Sequence, residues 1–316
     1  MSNISNGNSL YDQEVTWAQN TFNLDRRILK ALLRMGFIHP TLIQSKCLPL
    51  ALEGKDILVR ARTGSGKTVA FALPVLQKIL GLKGTTTKKT TQAVILAPTK
   101  ELVKQIEKVM NELTYYCKEF LSFYAIHEDN QKIIEFHLQN PPDIIISTPA
   151  KLVAQINKNK VNLNSVSVLV VDEADLVLSY GYKDDIQSIL SHVPKIFQGI
   201  FLSATLSPEL EKFKKLVLHN PVILKLEESQ SKGNLVQFYL ESSENDKFLI
   251  LYVFLKLGLL QGKGLIFVND VNKCYRLKLF LQQFFIPAAV LNAEVPMNSR
   301  THILEVRHIF LDAKVD

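Results

Sequence analysis

From about Gly54 onward the chain alternates short β-branched runs with longer amphipathic stretches. The apolar runs predict strands at Ile57–Arg60, Ala93–Ala97, Ser122–Ile126, Asp143–Ser147, Val166–Val171, Gly199–Ser203 and Val222–Leu226. Helical periodicity falls between them, over 67–81, 101–117, 150–158, 182–192 and 207–217. Val168–Val171 and Ile144–Ile146 are apolar at successive positions rather than at alternate ones. That pattern suits strands buried on both faces, hence a mostly parallel sheet between two layers of helices. Strand–helix–strand repetition of this kind predicts the α/β class with a doubly wound parallel sheet. The Gly-, Thr- and Lys-rich stretch Gly81–Thr91 reads as an exposed loop. Glu227–Asn234 (EESQSKGN) lacks apolar residues, and 227–235 reads as a linker between a domain over 20–226 and a second part over 236–316. In that second part, strands are expected at Val236–Leu240, Leu265–Asn269 and Ala289–Asn292, with helices near 245–259 and 271–284. Residues 1–19, polar at their start, are expected to be disordered.

A chain of 316 residues has room for two domains at about 100–200 residues each. Apolar residues make up 47% and charged residues 21%, which excludes disorder along the whole chain. The net charge of +7 favours a polyanionic partner, though only mildly. Cys47, Cys117 and Cys274 are odd in number and far apart, so neither a disulfide framework nor a metal site is indicated. Phe248–Leu260, the longest apolar stretch, is broken by Lys256 and Gly258 and falls short of the roughly 20 residues of a membrane span. No secretory pattern opens the chain. A soluble, intracellular protein without membrane attachment follows, and a monomer is expected.

Two strings then sharpen the picture. Residues 61–68 read ARTGSGKT between an apolar strand and a helical pattern. They match the phosphate-binding loop GxxxxGK(S/T), except that Ala61 stands for its first glycine. In Ala61, Arg62, Thr63, Gly64, Ser65, Gly66, Lys67 and Thr68, the two glycines let the backbone aim its N–H groups at phosphate oxygens at a helix N-terminus. Lys67, expected to be exposed in the loop, can reach the terminal phosphates, and the Thr68 hydroxyl can ligate Mg²⁺. Residues 172–175 read DEAD directly after the strand VLVV. A carboxylate there, Asp172, is placed to hold Mg²⁺ largely through water, and Glu173 to deprotonate an attacking water.

With these motifs on the page the chain resembles DEAD-box RNA helicases, over nearly its whole length. Gly36–Gln44 (GFIHPTLIQ) looks like the family's Q motif, which implies that Gln44 reads adenine and that Phe37 belongs to the nucleotide contacts. Ala97–Leu102 (APTKEL), Thr148–Lys151 (TPAK), Ser203–Thr205 (SAT) and Leu265–Asn269 (LIFVN) are similar to further family motifs. The resemblance implies an α/β fold of the RecA type, ATP and Mg²⁺ as cofactors, and RNA as partner with little base specificity. It implies that Pro98, Thr99, Lys100, Glu101, Thr148, Pro149 and Lys151 meet the RNA backbone. It also implies that Asp175, Ser203, Ala204 and Thr205 couple the site to domain closure. On the residues themselves, Thr148 opens a helix, where free N–H groups favour phosphate, and a plain helix cap is the competing explanation. The wording ALEGKDILVRARTGSGKT, PTKEL and LHNPVILKL looks most like the nucleolar subgroup acting in assembly of the large ribosomal subunit, which implies a nuclear, nucleolar location and pre-ribosomal partners.

The sequence also departs from the family. The aromatic ring expected upstream of Gly36 falls on Gln19, leaving Trp17 and Phe22 as alternatives for stacking on adenine. A glycine pair expected before TPAK is missing around Ile126–Glu128, and Lys151 replaces an arginine fork. Asn292–Arg300 (NAEVPMNSR) looks like one second-domain motif, but neither TD…RG nor HRxGRxxR follows it. The stretch from Val236 onward is about half the size of a complete second domain. Arginine fingers in related enzymes contribute about 10³–10⁵ in rate, or roughly 4–7 kcal/mol of barrier. The 316 residues are therefore expected to bind ATP and hydrolyse it poorly. A non-hydrolysing ATP- and RNA-binding module and a DNA-directed P-loop translocase remain as alternatives.

Overall fold

The computed structural model describes residues 10–83, 89–205, 207–226, 236–260, 262, 264–292, 294–296, 299–300, 303 and 309–313. The chain divides into two compact units, Met1–Ser231 and Lys232–Asp316. The linker expected at 227–235 lies outside the described residues.

The first unit is built on seven parallel strands: β1 (Ile57–Arg60), β2 (Ala93–Leu96), β3 (Phe123–Ile126), β4 (Ile144–Ser147), β5 (Val168–Val171), β6 (Gln198–Ser203) and β7 (Val222–Lys225). They lie side by side in the order β3-β4-β2-β5-β6-β1-β7. All seven sit where the apolar runs place them. The inner strands β2, β4, β5 and β6 are buried at every residue. That is why they read as continuous apolar runs. Helices α1 (Arg26–Arg34), α2 (Leu42–Leu52), α3 (Lys67–Lys83), α4 (Lys100–Leu113), α5 (Gln131–Leu138), α6 (Pro149–Asn157), α7 (Ala174–Ser179), α8 (Lys183–Leu190) and α9 (Pro208–Val217) complete the unit. Two apolar clusters flank the sheet. Phe71, Leu73 and Leu76 of α3 belong to one, and Leu152, Ile186 and Phe213 of α6, α8 and α9 to the other.

One buried carboxylate stitches the amino edge of this sheet. Asp56 accepts from the Gly199 N–H at 2.8 Å and from the His219 N–H at 2.6 Å. It thereby joins the start of β1 to the start of β6 and to the connection entering β7. Beside it, the Gln198 amide donates to the Ala51 and Lys55 carbonyls at 2.8 and 3.0 Å.

Three expectations need correction. Residues 10–19 are not loose from Leu10 on: Trp17 is 1% exposed and packs against Phe22 at a ring distance of 5.7 Å. Burial of one indole outweighs the polar composition around it. The helical stretch expected over 101–117 ends at Leu113, where the Thr114 hydroxyl turns back to the Met110 carbonyl at 2.7 Å. Val236–Leu240 is not a strand. Its apolar side chains stand in solvent, and no described strand pairs with it, so its backbone has no ladder to join. Helices α1, α2, α5 and α7 were not anticipated.

The second unit carries α10 (Lys247–Lys256), β8 (Leu265–Val268), α11 (Val271–Gln283), β9 (Ala288–Leu291) and β10 (Ile309–Ala313). Its three strands are parallel in the order β8-β10-β9. The core is small: Cys274, Leu277 and Leu281 of α11 with Val290 of β9.

Replacing Asp56 with Ala leaves the buried Gly199 N–H and the part-buried His219 N–H without this acceptor. The Asp56→Ala variant is expected to lose about 1–3 kcal/mol of stability in the first unit. Urea unfolding followed by the fluorescence of Trp17, the chain's one tryptophan, reads that unit specifically.

Candidate functional site

Because the sheet is parallel, every strand ends on one edge, and the loops leaving that edge carry the first unit's candidate motifs apart from Gly36–Gln44. The loop 61–66 leaves β1, Asp172 and Glu173 leave β5, and Ser203 closes β6, which lies between them. The Ala61 N–H donates to the Ser203 carbonyl at 3.0 Å, fixing the root of the glycine loop to β6. Beyond β5, the same edge carries Pro98–Lys100 after β2, Thr148–Lys151 after β4, and His127–Asn130 after β3.

The glycine loop is held by α2. Thr41 caps α2 and Gln44 is its third residue, so Thr41 N–H donates to Gln44 Oε1 at 2.8 Å. The other half of the Gln44 amide, Nε2, donates to the Gly66 carbonyl at 3.1 Å, and the side chain is buried. Gly66 has φ +92°, and a Cβ there would stand 2.6 Å from Gln44 Nε2 and 2.9 Å from Thr41 Oγ1. Only glycine fits this close approach. The loop then opens α3 at Lys67, whose first-turn N–H groups have no partner within the helix. Arg62, Thr63 and Gly64 are exposed, while Ser65 and Thr68 are half-buried.

The sequence led one to expect an exposed Lys67, and the structure corrects this. Lys67 is 6% exposed, and its Nζ lies 3.4 Å from Glu173 Oε1. The ammonium thus partners Glu173, and its charge also acts on the neighbouring buried Asp172. Glu173 holds an αL backbone, φ 50° and ψ 50°, at the N-cap of α7. Non-glycine residues adopt that conformation only when their surroundings impose it. Asp172 Oδ1 accepts from the Glu173 N–H at 3.0 Å. Burial pushes the Asp172 carboxyl up to about 6; Lys67 opposes that rise and the Glu173 charge adds to it.

Asp175 Oδ2 accepts from the Thr205 N–H at 3.0 Å and its hydroxyl at 2.8 Å, and Ser203 Oγ donates to the Thr205 carbonyl at 2.7 Å. Burial alone would raise the Asp175 carboxyl, but the Thr205 and Ser203 hydrogen bonds outweigh it and hold it low. Ala204 lies half-buried between them. Of the rings, Trp17 is locked in the core and Phe37 is 36% exposed.

On the other half of the edge, the Thr99 hydroxyl caps α4 by accepting from Leu102 N–H at 3.2 Å. Thr148 makes no such bond to the helix it opens. Pro98 and Pro149 are buried, and Glu101 is half-buried. Lys100 and Lys151 meet on one carboxylate, Asp129 Oδ1, at 2.5 and 3.0 Å. These contacts hold the Asp129 carboxyl at about 2. Asp129 was not singled out from the sequence. Thr41 was not either, although the spacing T-x-x-Q before an apolar run is a capping-box signal.

Comparison with known proteins gives three findings. Residues 41–213 match the profile of the family described as DEAD/DEAH box helicase. The chain is 47% identical over 300 residues to a probable ATP-dependent RNA helicase ddx56 of Dictyostelium discoideum, covering 93% of this chain and 43% of that protein. It is 44% identical to the ATP-dependent RNA helicase dbp9 of Aspergillus clavatus, covering 96% and 49%. It thus spans about half the length of the curated relatives it matches. Among solved structures, a DEAD box protein from Methanococcus jannaschii matches with a TM-score of 0.60 and 27% identity, over 93% of this chain and 79% of that one. Dbp5 of S. cerevisiae bound to RNA and ADP BeF3 matches with a TM-score of 0.76 and 23% identity, over 94% and 75%, a likeness of fold.

Asp172 titrates well above the ordinary 3.8 when folded. Its contribution to stability is therefore complete below that value and is lost as pH rises through about 6. Lowering the pH from 7 to 5 should stabilise the wild type relative to Asp172→Asn, as read by urea unfolding on Trp17 fluorescence. A constant difference between the two across that range would contradict the burial ascribed to Asp172.

Proposed function

The chain belongs to the DEAD/DEAH box helicase family, and from that premise we propose that it is the ATP- and RNA-binding part of an ATP-dependent RNA helicase. The observation that carries this reading is the convergence at one sheet edge of the glycine loop 61–66, buried Lys67 and the pair Asp172–Glu173. A loop whose two glycines take positive φ, leading into the N-terminus of a 17-residue helix, suits a triphosphate. The Gln44 amide uses one donor and one acceptor on the protein. It keeps one of each, the complement of the adenine N6/N7 edge.

The chemistry follows from these positions. Lys67 exchanges Glu173 for phosphate oxygens, which frees the Glu173 carboxylate to take a proton from the attacking water. That water's oxygen bonds to the γ-phosphorus as the bond to the bridging oxygen of ADP breaks. Thr68 and Asp172 would hold Mg²⁺, largely through water, and the ion supplies positive charge against that developing on the phosphates. Asp175, Ser203 and Thr205, already hydrogen-bonded together, tie the end of β6 to α7 and so relay the state of the nucleotide. Pro98–Glu101 and Thr148–Lys151 meet the RNA backbone and its 2′-hydroxyls, with little base preference. Duplex remodelling in ribosome biogenesis, in the nucleolus, is the setting that the wording of its motifs supports.

The 316 residues contain neither TD…RG nor HRxGRxxR. Taken as they stand they bind ATP–Mg²⁺, but Lys67 and the ion act without the arginine fingers that the family's missing motif would supply, so turnover is slow. A steady-state ATPase assay with and without single-stranded RNA tests this, on the 316 residues and on a chain extended by a complete second domain. RNA should stimulate the extended chain and leave the shorter one near background. Stimulation of tenfold or more in the shorter chain would contradict the proposal. ATP binding without stimulation in either chain would favour a non-hydrolysing module.

A further inference from the structure

The loop after β3 stands where the family resemblance led us to expect glycines, and it is acidic instead. It reads His127–Glu128–Asp129, and Asp129 lies out in solvent with 79% of its side chain exposed. Its Oδ1 nevertheless receives two ammonium groups, Lys100 Nζ at 2.5 Å and Lys151 Nζ at 3.0 Å. The two lysines belong to the first turns of α4 and α6, which follow β2 and β4. Those strands are neighbours in the sheet, with β3 next to β4, so the loop reaches across two strand ends. Lys151 also donates to the Glu128 carbonyl. The loop is anchored on both sides of Asp129. His127 Nε2 lies 2.9 Å from Glu107 Oε2 and its Nδ1 3.6 Å from Glu128 Oε1, while the Asn130 side chain caps α5 by accepting from Lys132 N–H at 3.1 Å. One oxygen shared by two ammonium groups beside two helix N-termini is the arrangement a backbone phosphate oxygen would adopt there.

We infer that Asp129 is an internal stand-in for an RNA phosphate, which must be displaced before Lys100 and Lys151 can hold the RNA backbone. This rests on the reading of that edge as an RNA-binding surface. An exposed ion pair contributes little to stability, so the carboxylate can leave readily and its removal should not unfold the protein. Its effect falls on affinity: each lysine spent on Asp129 is a phosphate contact deferred. With Asp129 neutralised, the lysines meet RNA directly and more counterions are released on binding. Asp129 thereby sets how strongly this protein holds RNA at a given salt concentration.

The test is fluorescence anisotropy of a labelled single-stranded RNA with the full 316-residue chain and Mg–ATP, over a series of salt concentrations. Asp129→Asn is expected to tighten binding by about five- to tenfold at low salt. The slope of log K against log salt should steepen by about 0.7 to 1.4, since each of one or two phosphate contacts to a single strand contributes about 0.7. In a Lys100→Ala/Lys151→Ala background the same substitution should change affinity by less than about twofold. Trp17 fluorescence verifies that each variant is folded. Unchanged or weaker RNA binding by Asp129→Asn overturns the inference while leaving the RNA reading standing. A gain that persists without the two lysines also overturns it, because net charge would then explain the change. If neither wild type nor Asp129→Asn binds RNA while both bind ATP, the RNA reading falls and takes the inference with it.

Discussion

The buried contact between Lys67 and Glu173 depends on the order of three strands. These residues are far apart in the chain, and they meet because β1 and β5 both pair in parallel with β6. Parallel pairing sends all three strands the same way, so the loop after β1 and the turn after β5 must emerge side by side. The Ala61 N–H bonded to the Ser203 carbonyl sets their relative height. From this constraint follow the burial of Lys67, the αL turn at Glu173 and the position of Ser203 and Thr205 behind them.

The site is balanced by charge as much as by packing. Two adjacent carboxylates, Asp172 and Glu173, are both buried, and Lys67 is the cation that pairs with Glu173 and lowers the cost of the Asp172 charge. Asp172 is held well above its ordinary range, as expected for a carboxyl short of water and next to a like charge. A bound triphosphate and a divalent cation would redistribute this set, the lysine moving to phosphate and the carboxylates to the cation and to water. At the other half of the edge, Asp129 plays the corresponding part for Lys100 and Lys151. In each half, lysines assigned to phosphate are matched by carboxylates of the protein itself.

Much of this was legible in the sequence because the first unit's inner strands β2, β4, β5 and β6 are buried on both faces. Val168–Val171 and Ile144–Ile146 can be read as inner parallel strands from their composition alone, and the phosphate loop and the DEAD string follow strand ends directly. Less visible were features whose cause lies across the fold. Trp17 sits in a polar stretch, and only its pocket beside Phe22 shows that it is core. The exposure expected for Lys67 ignored Glu173, which the sheet order brings near. Val236–Leu240 has a strand's composition but no partner among the described residues. Asp129 reads as an ordinary surface residue until β3, β4 and β2 are known to lie in a row. Long-range pairing, rather than local propensity, separates what was read correctly from what was not.

Calorimetric titration with Mg–ATP of the wild type and of Lys67→Ala bears most directly on the site, with folding of both verified by Trp17 fluorescence. If Lys67 exchanges Glu173 for phosphate, the wild type binds Mg–ATP and the variant, equally well folded, loses most of that affinity. A folded Lys67→Ala variant that binds Mg–ATP as tightly as the wild type would show that the buried lysine belongs to the fold, and that the nucleotide is held elsewhere.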